Sequence, residues 1–449
     1  MGLFDWLKPG LRLKRWLLVG GMGVFFIVVG CYPMIRRLLG EQLVTESTVI
    51  LTLSGIVLLV FAVKGMFLSV LKLLDIPSTQ QGYRLLIDKK LYDKRILAKG
   101  PKIVVIGGGT GLSILLRGLK KYTTNITAIV TVADDGGGSG KIREDLGMLP
   151  PGDIRNCILA LADTEPIMER LLQYRFEEGS LKGQSFGNLL IAAMNGISSN
   201  FEEAIKKIND VLAVTGTVLP VTTENVTLYA KLKNEKVIKG ESQIPIKALE
   251  MESEIEQVFL KPNQAKALDE ALLAIENADI IILGPGSLYT SVIPNLLVDG
   301  IGEGIRRAKG IKAYIANVMT QPGETDGYGV WRHIEAIKNH CCYVDLDYVF
   351  VNNEEIPYEI IEKYAKDGAK PVRLTVEDKS MIEKSSMKII EGKFIDIKKQ
   401  YVRHDAEKLG QIISKLASDE KLAGKNEVAF LRARRMLEGF IIAIKKRSE

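Results

Sequence analysis

The chain has 449 residues, of which 47% are hydrophobic and 25% charged, and this composition excludes a disordered tail and a collagen-like fibre. Its 60 Lys and Arg residues barely exceed its 54 Asp and Glu residues, so the charge balance does not indicate nucleic-acid binding. Four cysteines without a C-x-x-C pair and three histidines exclude a disulfide scaffold and offer no zinc-binding spacing. The mean hydropathy of +0.10 is high for so charged a chain, so apolar residues must be concentrated in a few segments.

Two long apolar segments come first in the chain. Residues 16–35 carry no charge, and their number matches the roughly 20 residues that a helix needs to cross a bilayer. Residues 47–71 carry one charge, Lys64, whose long side chain can reach an interface. Because Lys and Arg are more numerous outside the short connector than within it, the sequence predicts a membrane hairpin with both ends in the cytoplasm. We therefore expect a multi-pass protein of the cell membrane with its main domain in the cytoplasm; the alternative is a buried helical hairpin of a soluble domain.

These segments and the pattern that follows them divide the chain into four predicted parts. The parts are a two-helix membrane anchor (residues 1–75), a juxtamembrane linker (76–100), a nucleotide-binding domain (101–415) and a C-terminal basic helix (416–449). The last part is amphipathic, so it either packs on the domain or binds a membrane surface or a partner.

From Pro101 onward, short apolar runs alternate with amphipathic helical stretches. Residues 102–106 and 126–132 are typical of buried strands, and residues 112–122 between them are typical of a helix. This alternation predicts a Rossmann-like α/β fold, with a mostly parallel sheet and helices on both faces. Residues 211–260 interrupt it with β-rich segments, which predict a small antiparallel insertion. Ligands of such sheets bind outside the carboxyl ends of the strands, so we expect the site there.

The first predicted strand leads directly into a glycine-rich loop, Gly107–Gly111, and then into a helix. Glycines let the backbone approach a ligand closely, and the N–H groups at a helix N-terminus attract a pyrophosphate. No Gly-Lys-Ser/Thr follows, which excludes a P-loop, and Leu112 stands at the third glycine position of the dinucleotide-binding pattern. The loop predicts a phosphate site, with a structural tight turn as the alternative.

The next strand ends at two adjacent carboxylates, Asp134 and Asp135, followed by three glycines. Asp134 follows Gly107 at roughly the spacing at which dinucleotide-binding folds place an acid on a ribose hydroxyl. Carboxylates at this point can equally hold Mg²⁺ beside phosphate oxygens. The alternative is a glycine-rich turn whose acids are simply solvated.

Polar residues at the other predicted strand ends complete the candidate ligand site. Asp153 is expected to cap a helix that begins near Ile154, and Arg155 is placed to pair with a phosphate. Asn188 heads an apolar helix as an amide donor or as its N-cap, and Tyr289 offers a ring that can stack on a base. The predicted substrate-binding residues are Gly107, Gly108, Gly109, Thr110, Gly111, Asp134, Asp135, Ser139, Asp153, Arg155, Asn156, Asn188, Gly286, Ser287, Tyr289, Thr290 and Asn317.

No local pattern marks a Ser-His-Asp or Cys-His arrangement, so no catalytic residue is assigned. His333 and His340 fall on one predicted helix, where a structural or surface role is expected. Cys157 lies among apolar residues and is expected in the core.

Six ordered motifs resemble those of the gluconeogenesis factor family (YvcK-like), within the superfamily of CofD-like 2-phospho-L-lactate transferases. They are VVIGGGTGLS, VADDGGGSGKIRED, LPPGDIRN, GNLLIAA, GPGSLYTSVIPNLLV and NVMTQPGETDG, and the resemblance runs from about Lys102 to about Asp405. It implies a Rossmann-like fold that binds UDP-N-acetylglucosamine, and a role in cell shape and envelope synthesis during gluconeogenic growth. By this resemblance the glycine loop holds phosphates, Asp134 and Asp135 serve the sugar or a metal, and Tyr289 contacts the uracil–ribose side.

Three functions remain open at this point. The first is a membrane-anchored sensor of a nucleotide-sugar that regulates cell-wall precursor flux through envelope-synthesis proteins, as a monomer or a homo-oligomer. The second is a phospholactyl-type transferase in which Asp134 and Asp135 bind Mg²⁺ and the donor is a nucleoside diphosphate derivative. The third, an NAD-dependent oxidoreductase, is disfavoured by the missing third glycine.

Overall fold

The computed structural model describes residues 13–38, 46–73, 97–163, 166–398 and 400–419. It divides the chain into two units, Met1–Leu91 and Tyr92–Glu449. Most of the predicted linker (76–100) and most of the predicted C-terminal helix (416–449) lie outside the described residues.

The first unit contains two helices, α1 (Leu13–Leu38) and α2 (Glu46–Leu73). Glycines let the two backbones touch. A Cβ atom on Gly23 would lie 2.9 Å from the carbonyl oxygen of Gly55, and one on Gly55 would lie 2.7 Å from that of Gly23. Such close crossings at small residues are typical of helices that pack in apolar surroundings.

The outward faces of these helices are apolar, and Phe25 and Phe61 are each about 60% exposed. Within α2, residues Val49–Met66 have a mean hydropathy of 2.3 and are long enough to cross a membrane. The apolar stretch of α1, Leu18–Tyr32, is shorter. By length and composition, the described residues thus contain one candidate membrane span, where the sequence analysis predicted two.

The second unit is organised around a seven-stranded parallel sheet. In chain order, the strands of this unit are β1 (Ile103–Gly107), β2 (Ile126–Val130), β3 (Thr217–Pro220), β4 (Thr227–Leu232), β5 (Val237–Lys239), β6 (Ile255–Lys261), β7 (Ile280–Leu283), β8 (Ile311–Ile315), β9 (Tyr348–Asn352), β10 (Lys388–Gly392), β11 (Ile395–Lys398) and β12 (Tyr401–His404). The large sheet has the order β10-β9-β8-β7-β1-β2-β3, with all its neighbours parallel.

The second unit also contains helices. They are α3 (Gly109–Leu119), α4 (Gly137–Leu146), α5 (Gly152–Leu161), α6 (Pro166–Gln173), α7 (Phe186–Gly196), α8 (Phe201–Val211), α9 (Ile244–Glu250), α10 (Asp269–Glu276), α11 (Ile293–Leu296), α12 (Ile301–Arg307), α13 (Val330–His340), α14 (Tyr358–Lys366), α15 (Val376–Lys384) and α16 (residues 406–419). The central strands read IVVIG in β1 and IIIL in β7, and every position is buried because both faces of the sheet are covered. The predicted α/β fold is confirmed.

The strand order defines where a ligand is expected. From β1 the chain builds outward through β2 to β3, and it then returns to the other side of β1 to build β7 through β10. The direction in which successive strands are added to the sheet therefore reverses between β1 and β7. These two strands pair in parallel, from Ile103 beside Ile280 to Ile106 beside Leu283. In doubly wound sheets the ligand crevice lies outside the carboxyl ends of the strands at this switch point.

The predicted insertion is a small antiparallel sheet of order β5-β4-β6. Strand β3 also falls within residues 211–260, but it pairs in parallel with β2 and belongs to the large sheet. The insertion is docked on two strand-end loops of the large sheet. The backbone N–H of Ser242 donates to Asp135 at 2.9 Å, and a Cβ atom on Gly323 would lie 2.1 Å from the carbonyl oxygen of Pro245.

The C-terminal part of the unit forms a hairpin, β11–β12, and then α16. His404 Nε2 lies 3.2 Å from the carbonyl oxygen of Ala316, which follows β8, so the hairpin reaches the carboxyl end of the sheet. Burial lowers the pKa of His404 to about 4, so this ring is neutral at pH 7 and donates from Nε2 to the carbonyl.

Candidate functional site

Two glycine loops meet at the switch point between β1 and β7. A Cβ atom on Gly111 would lie 2.7 Å from the carbonyl oxygen of Pro285, and one on Gly286 would lie 3.3 Å from that of Gly108. Gly109 adopts a φ of +66°, a backbone conformation that residues with a side chain rarely adopt. These positions are glycine because the backbones of the two loops come into contact.

Asn295 supports both loops from the core, although the sequence analysis did not single it out. Its side chain is fully buried, and its Nδ2 donates to the carbonyl oxygens of Gly107 at 3.2 Å and Ser291 at 2.7 Å. Buried amides that join two backbone segments in this way fix loop geometry.

A pocket of about 540 Å³ opens above these loops. Its lining includes Gly108–Gly111 from the start of α3, Gly286 and Ser287 after β7, Asn317–Pro322 after β8, and Tyr401–His404 from β12. A volume of this order suits a nucleotide-sized ligand. The structure thus brings together the predicted residues Gly108, Gly109, Thr110, Gly111, Gly286, Ser287 and Asn317.

The pocket has a helix N-terminus at one end and aromatic side chains along one side. The first turn of α3 presents backbone N–H groups that no helical carbonyl can pair, which favours a phosphate there. Arg403 is the one cationic side chain among the described residues that line the pocket, and it is exposed. Tyr401 is 52% exposed beside it, with Lys363 Nζ 4.0 Å from the ring centroid. Arg403 and Tyr401 could not be predicted as ligand contacts from the sequence, because the hairpin carries no glycine loop or other local signal.

Side chains also join the loops that follow β7 and β8. Gln321 Nε2 donates to Ser287 Oγ at 2.7 Å, and Thr290 Oγ1 donates to Glu324 at 3.3 Å. Burial raises the pKa of Glu324 to about 7, although the bonds from Thr290 and from the Tyr289 amide favour its ionised form. Neither Thr290 nor Glu324 lines the pocket. Their hydrogen bond instead joins the loop after β7 to the loop after β8.

The predicted role of Tyr289 as a stacking platform is wrong. The ring is 3% exposed, its hydroxyl lies 2.9 Å from that of Tyr328, and its centroid lies 5.7 Å from that of His340. It packs in the core because a π-helical turn, Leu288–Val292, directs it away from the pocket. His333 is also buried and His340 is half-buried, in keeping with a structural role.

The remaining predicted residues lie behind the first glycine loop. A Cβ atom on Gly108 would lie 2.6 Å from Asp153 Oδ2, and the Gly109 backbone amide donates toward the same carboxyl group. Asp153 is the second residue of α5 and makes no capping bond, so its predicted role as a cap is wrong. Burial raises the pKa of Asp153 to about 6, and the charge of Asp134 adds to this rise.

Arg155 is enclosed by hydrogen-bond acceptors of the protein itself. It donates to Asn188 Oδ1 at 2.9 Å, to Asn156 Oδ1 at 2.9 Å and to Ser185 Oγ. Ser185, rather than Asn188, is the N-cap of α7 and accepts from the Asn188 backbone. This arrangement ties α5 to α7, and none of these four side chains lines the pocket.

Asp134 and Asp135 point to different partners. Asp134 accepts from the Gly136 backbone at 2.9 Å and interacts with Ser139, and burial raises its pKa. Asp135 accepts from Ser242 of the insertion. Across the described residues, no group of three or more His, Cys, Asp or Glu side chains converges to hold a metal ion. The Mg²⁺ role of the two carboxylates, which would need phosphate oxygens as further ligands, stays a prediction.

Glu241 of the insertion, in the 3₁₀ turn Glu241–Gln243, faces the same acidic region. Burial raises its pKa to about 8, and Asp134, Glu324, Asp153 and Asp135 all add to the rise. Because the folded protein binds this proton more tightly than the unfolded chain, the contribution of Glu241 to stability falls as the pH rises from about 4.5 to about 8.

Replacing Glu241 with glutamine should therefore stabilise the protein increasingly with pH. We expect equal unfolding free energies for variant and wild type near pH 4, and a gain of about 1–3 kcal/mol for the variant at pH 9. Thermal melts at pH 4, 7 and 9 measure this difference, with the exposed Glu355→Gln as the control. A gain that does not change with pH would contradict the assignment.

Known proteins resemble this chain over most of its length. A family model described as 2-phospho-L-lactate transferase CofD matches residues 103–395. The chain belongs to the CofD family. Within this family, the gluconeogenesis factor of Bacillus subtilis (strain 168) is 45% identical over 324 residues, which cover 72% of this chain and all of that protein. A relative from Clostridium acetobutylicum is 51% identical over 430 residues, covering 94% of this chain and 93% of its own length. The resemblance to gluconeogenesis factors is confirmed.

A solved structure shares the fold of the second unit. The crystal structure of a Bacillus halodurans protein superposes with a TM-score of 0.67 at 45% identity, covering 70% of this chain and 99% of that one. The CofD match ends at Ile395, the first residue of β11. Arg403 and Tyr401 thus lie just beyond the part of the chain that the family model describes.

Proposed function

We propose that this CofD-family protein is a membrane-anchored regulator that binds UDP-N-acetylglucosamine in the switch-point pocket, facing the cytoplasm. The observation that carries the proposal is the pairing of the N-terminal turn of α3 with Arg403 across a pocket of about 540 Å³. The diphosphate of a nucleotide-sugar bears two negative charges. A helix N-terminus and one arginine can bind these charges without a lysine of the P-loop type.

The other lining residues suit the two ends of such a ligand. The exposed ring of Tyr401 can stack on a uracil, a role proposed here in place of Tyr289. The side chains of Asn317, Thr320 and Gln321 offer amides and hydroxyls of the kind that bind sugar hydroxyl groups. Loops held together by Gln321 and Ser287 would present these groups with little reorganisation.

A regulatory role suits this site better than catalysis. The described lining contains one histidine, His404, and burial keeps it neutral and bonded to Ala316. Among the described residues, the lining has no cysteine and one acidic side chain, Asp367, which is exposed. Relatives at 45% and 46% identity carry the name gluconeogenesis factor, which describes a metabolic role rather than a reaction. We therefore propose control of cell-wall precursor supply, and hence of cell shape, through envelope-synthesis proteins.

Calorimetric titration with UDP-N-acetylglucosamine, with and without Mg²⁺, tests the proposal. We expect saturable binding of one ligand per chain that does not depend on the metal, and recovery of the ligand unchanged. Consumption of the ligand, or a strict requirement for Mg²⁺, would instead favour a transferase. GDP-mannose serves as the control for the base and the sugar.

Membrane attachment is supported by the apolar outward faces of α1 and α2 and by the span Val49–Met66. We expect the full chain to sediment with membranes and to resist extraction by high salt and alkaline carbonate. A variant that begins at residue 97 should remain in the supernatant and bind ligand with unchanged affinity, because the pocket residues all belong to the second unit. Release of the full chain by salt alone would contradict a membrane-spanning anchor.

A further inference from the structure

The pocket has a phosphate-binding loop with acidic groups directly behind it. Gly108 and Gly109 line the pocket on one side, and Asp153 contacts them from the other. Asp134 and Glu241 are close enough to Asp153 to affect its ionisation or to be affected by it. A phosphate seated on this loop is therefore separated from a carboxylate by the thickness of one backbone.

The lining provides little positive charge to offset these acids. Arg403 is its one cation among the described residues. Behind the loop, Arg155 offsets part of the charge of Asp153, but it changes the pKa of Asp153 less than the opposing charge of Asp134 does. Each additional negative charge on a ligand therefore meets repulsion that the pocket does not neutralise.

We propose that Asp153 selects diphosphates whose second phosphate is esterified, as in a nucleotide-sugar, and rejects free nucleoside diphosphates and triphosphates. This inference rests on the proposed function and deepens it. Each phosphate of a diphosphate diester carries one negative charge, whereas the free terminal phosphate of a nucleoside diphosphate carries close to two. Asp153 acts through the loop as a specificity-determining residue and does not touch the ligand.

A role in ligand selection explains why residue 153 is an acid. An asparagine would accept the Gly109 N–H equally well, so support of the loop alone does not require a charge. With a pKa of about 6, Asp153 is ionised at pH 8, and a competing ligand would meet its full charge there.

The test compares UDP-N-acetylglucosamine with UDP by calorimetry at pH 8 in EDTA, on the full chain in detergent. Wild type should bind the sugar diester at least about tenfold more tightly than UDP. Asp153→Asn should strengthen UDP binding about three- to tenfold and UDP-N-acetylglucosamine binding by less. The ratio of the two affinities should therefore move closer to one. Asp135→Asn is the matched control, because that carboxylate is held by Ser242 and should leave the ratio nearly unchanged.

Several results would overturn the inference. If the wild type binds UDP as tightly as it binds UDP-N-acetylglucosamine, the inference is wrong. It is also wrong if Asp153→Asn lowers the affinity for both ligands by the same factor. An equal narrowing by Asp135→Asn would point to net charge alone. The pair GDP and GDP-mannose separates this inference from the proposed function. If only this pair binds, with the diester preferred, the uridine ligand is wrong and the role of Asp153 stands. If neither pair binds, both are wrong.

Discussion

Replacing Arg403 with alanine is expected to weaken the binding of UDP-N-acetylglucosamine by about 10- to 100-fold while leaving the melting temperature within about 1 °C of wild type. Hydrogen bonds to charged groups contribute roughly 1.5–3 kcal/mol, and the described lining residues include no second Lys or Arg to replace this one. The side chain is exposed and lies on a surface hairpin, so its loss leaves no buried group unpaired. Calorimetry and thermal melts measure the two effects separately.

Two further variants sharpen this prediction. Arg403→Lys should recover part of the affinity, because lysine keeps the charge but loses the two-pronged geometry of the guanidinium. Lys398→Ala removes a cation from the same hairpin outside the pocket lining and should change nothing. If Arg403→Ala binds normally, the diphosphate does not lie between α3 and β12.

Replacing Gly118 with alanine is expected to lower the stability more than any other glycine-to-alanine substitution in the described helices. A Cβ atom there would lie 1.8 Å from the carbonyl oxygen of Ala406, where α16 crosses α3. Backbone atoms cannot move aside as a flexible side chain can, so the two helices must separate. We expect the unfolding free energy to fall by about 2–3 kcal/mol, measured by denaturant titration.

Gly196 provides the matched control for this substitution. It is the last residue of α7, and a Cβ atom there would meet nothing within 4 Å. Gly196→Ala should therefore be neutral or stabilise the protein by up to about 1 kcal/mol. Equal stability of both variants would mean that α16 does not pack on α3 as described. Because α3 carries the phosphate loop at its other end, Gly118→Ala should also weaken ligand binding.

The glycine loops show how far local sequence determines a site. The run after β1 was predicted from the sequence as a phosphate loop and Gly286 after β7 as a binding residue, and the structure brings Gly108–Gly111 and Gly286 together in one pocket. Strand ends can be located from apolar runs, and left-handed or closely packed backbone requires glycine at the position itself. The apolar runs and the glycine positions are both local features, so they can be recognised without knowledge of the fold.

The side chains around the loops were harder to place. Tyr289 follows a predicted glycine loop, yet a π-helical turn buries its ring against Tyr328 and His340. Asp153 was expected at a helix cap, and it instead supports Gly108 and Gly109 from behind. A sequence gives the type of a side chain near a loop, but its direction depends on packing against distant elements.

The sequence by itself determined the α/β class, the family and the two glycine loops, because apolar periodicity and glycine requirements are written residue by residue. Only the tertiary structure decided that β7 returns beside β1 and that the β11–β12 hairpin brings Arg403 into the pocket. Those contacts join residues far apart in the chain, and their free energy comes from burying whole faces of the sheet and its helices together. No local sequence pattern shows the total free energy of these long-range contacts. The positions of Arg403 and Asp153 relative to the glycine loops could therefore be learned only from the folded chain.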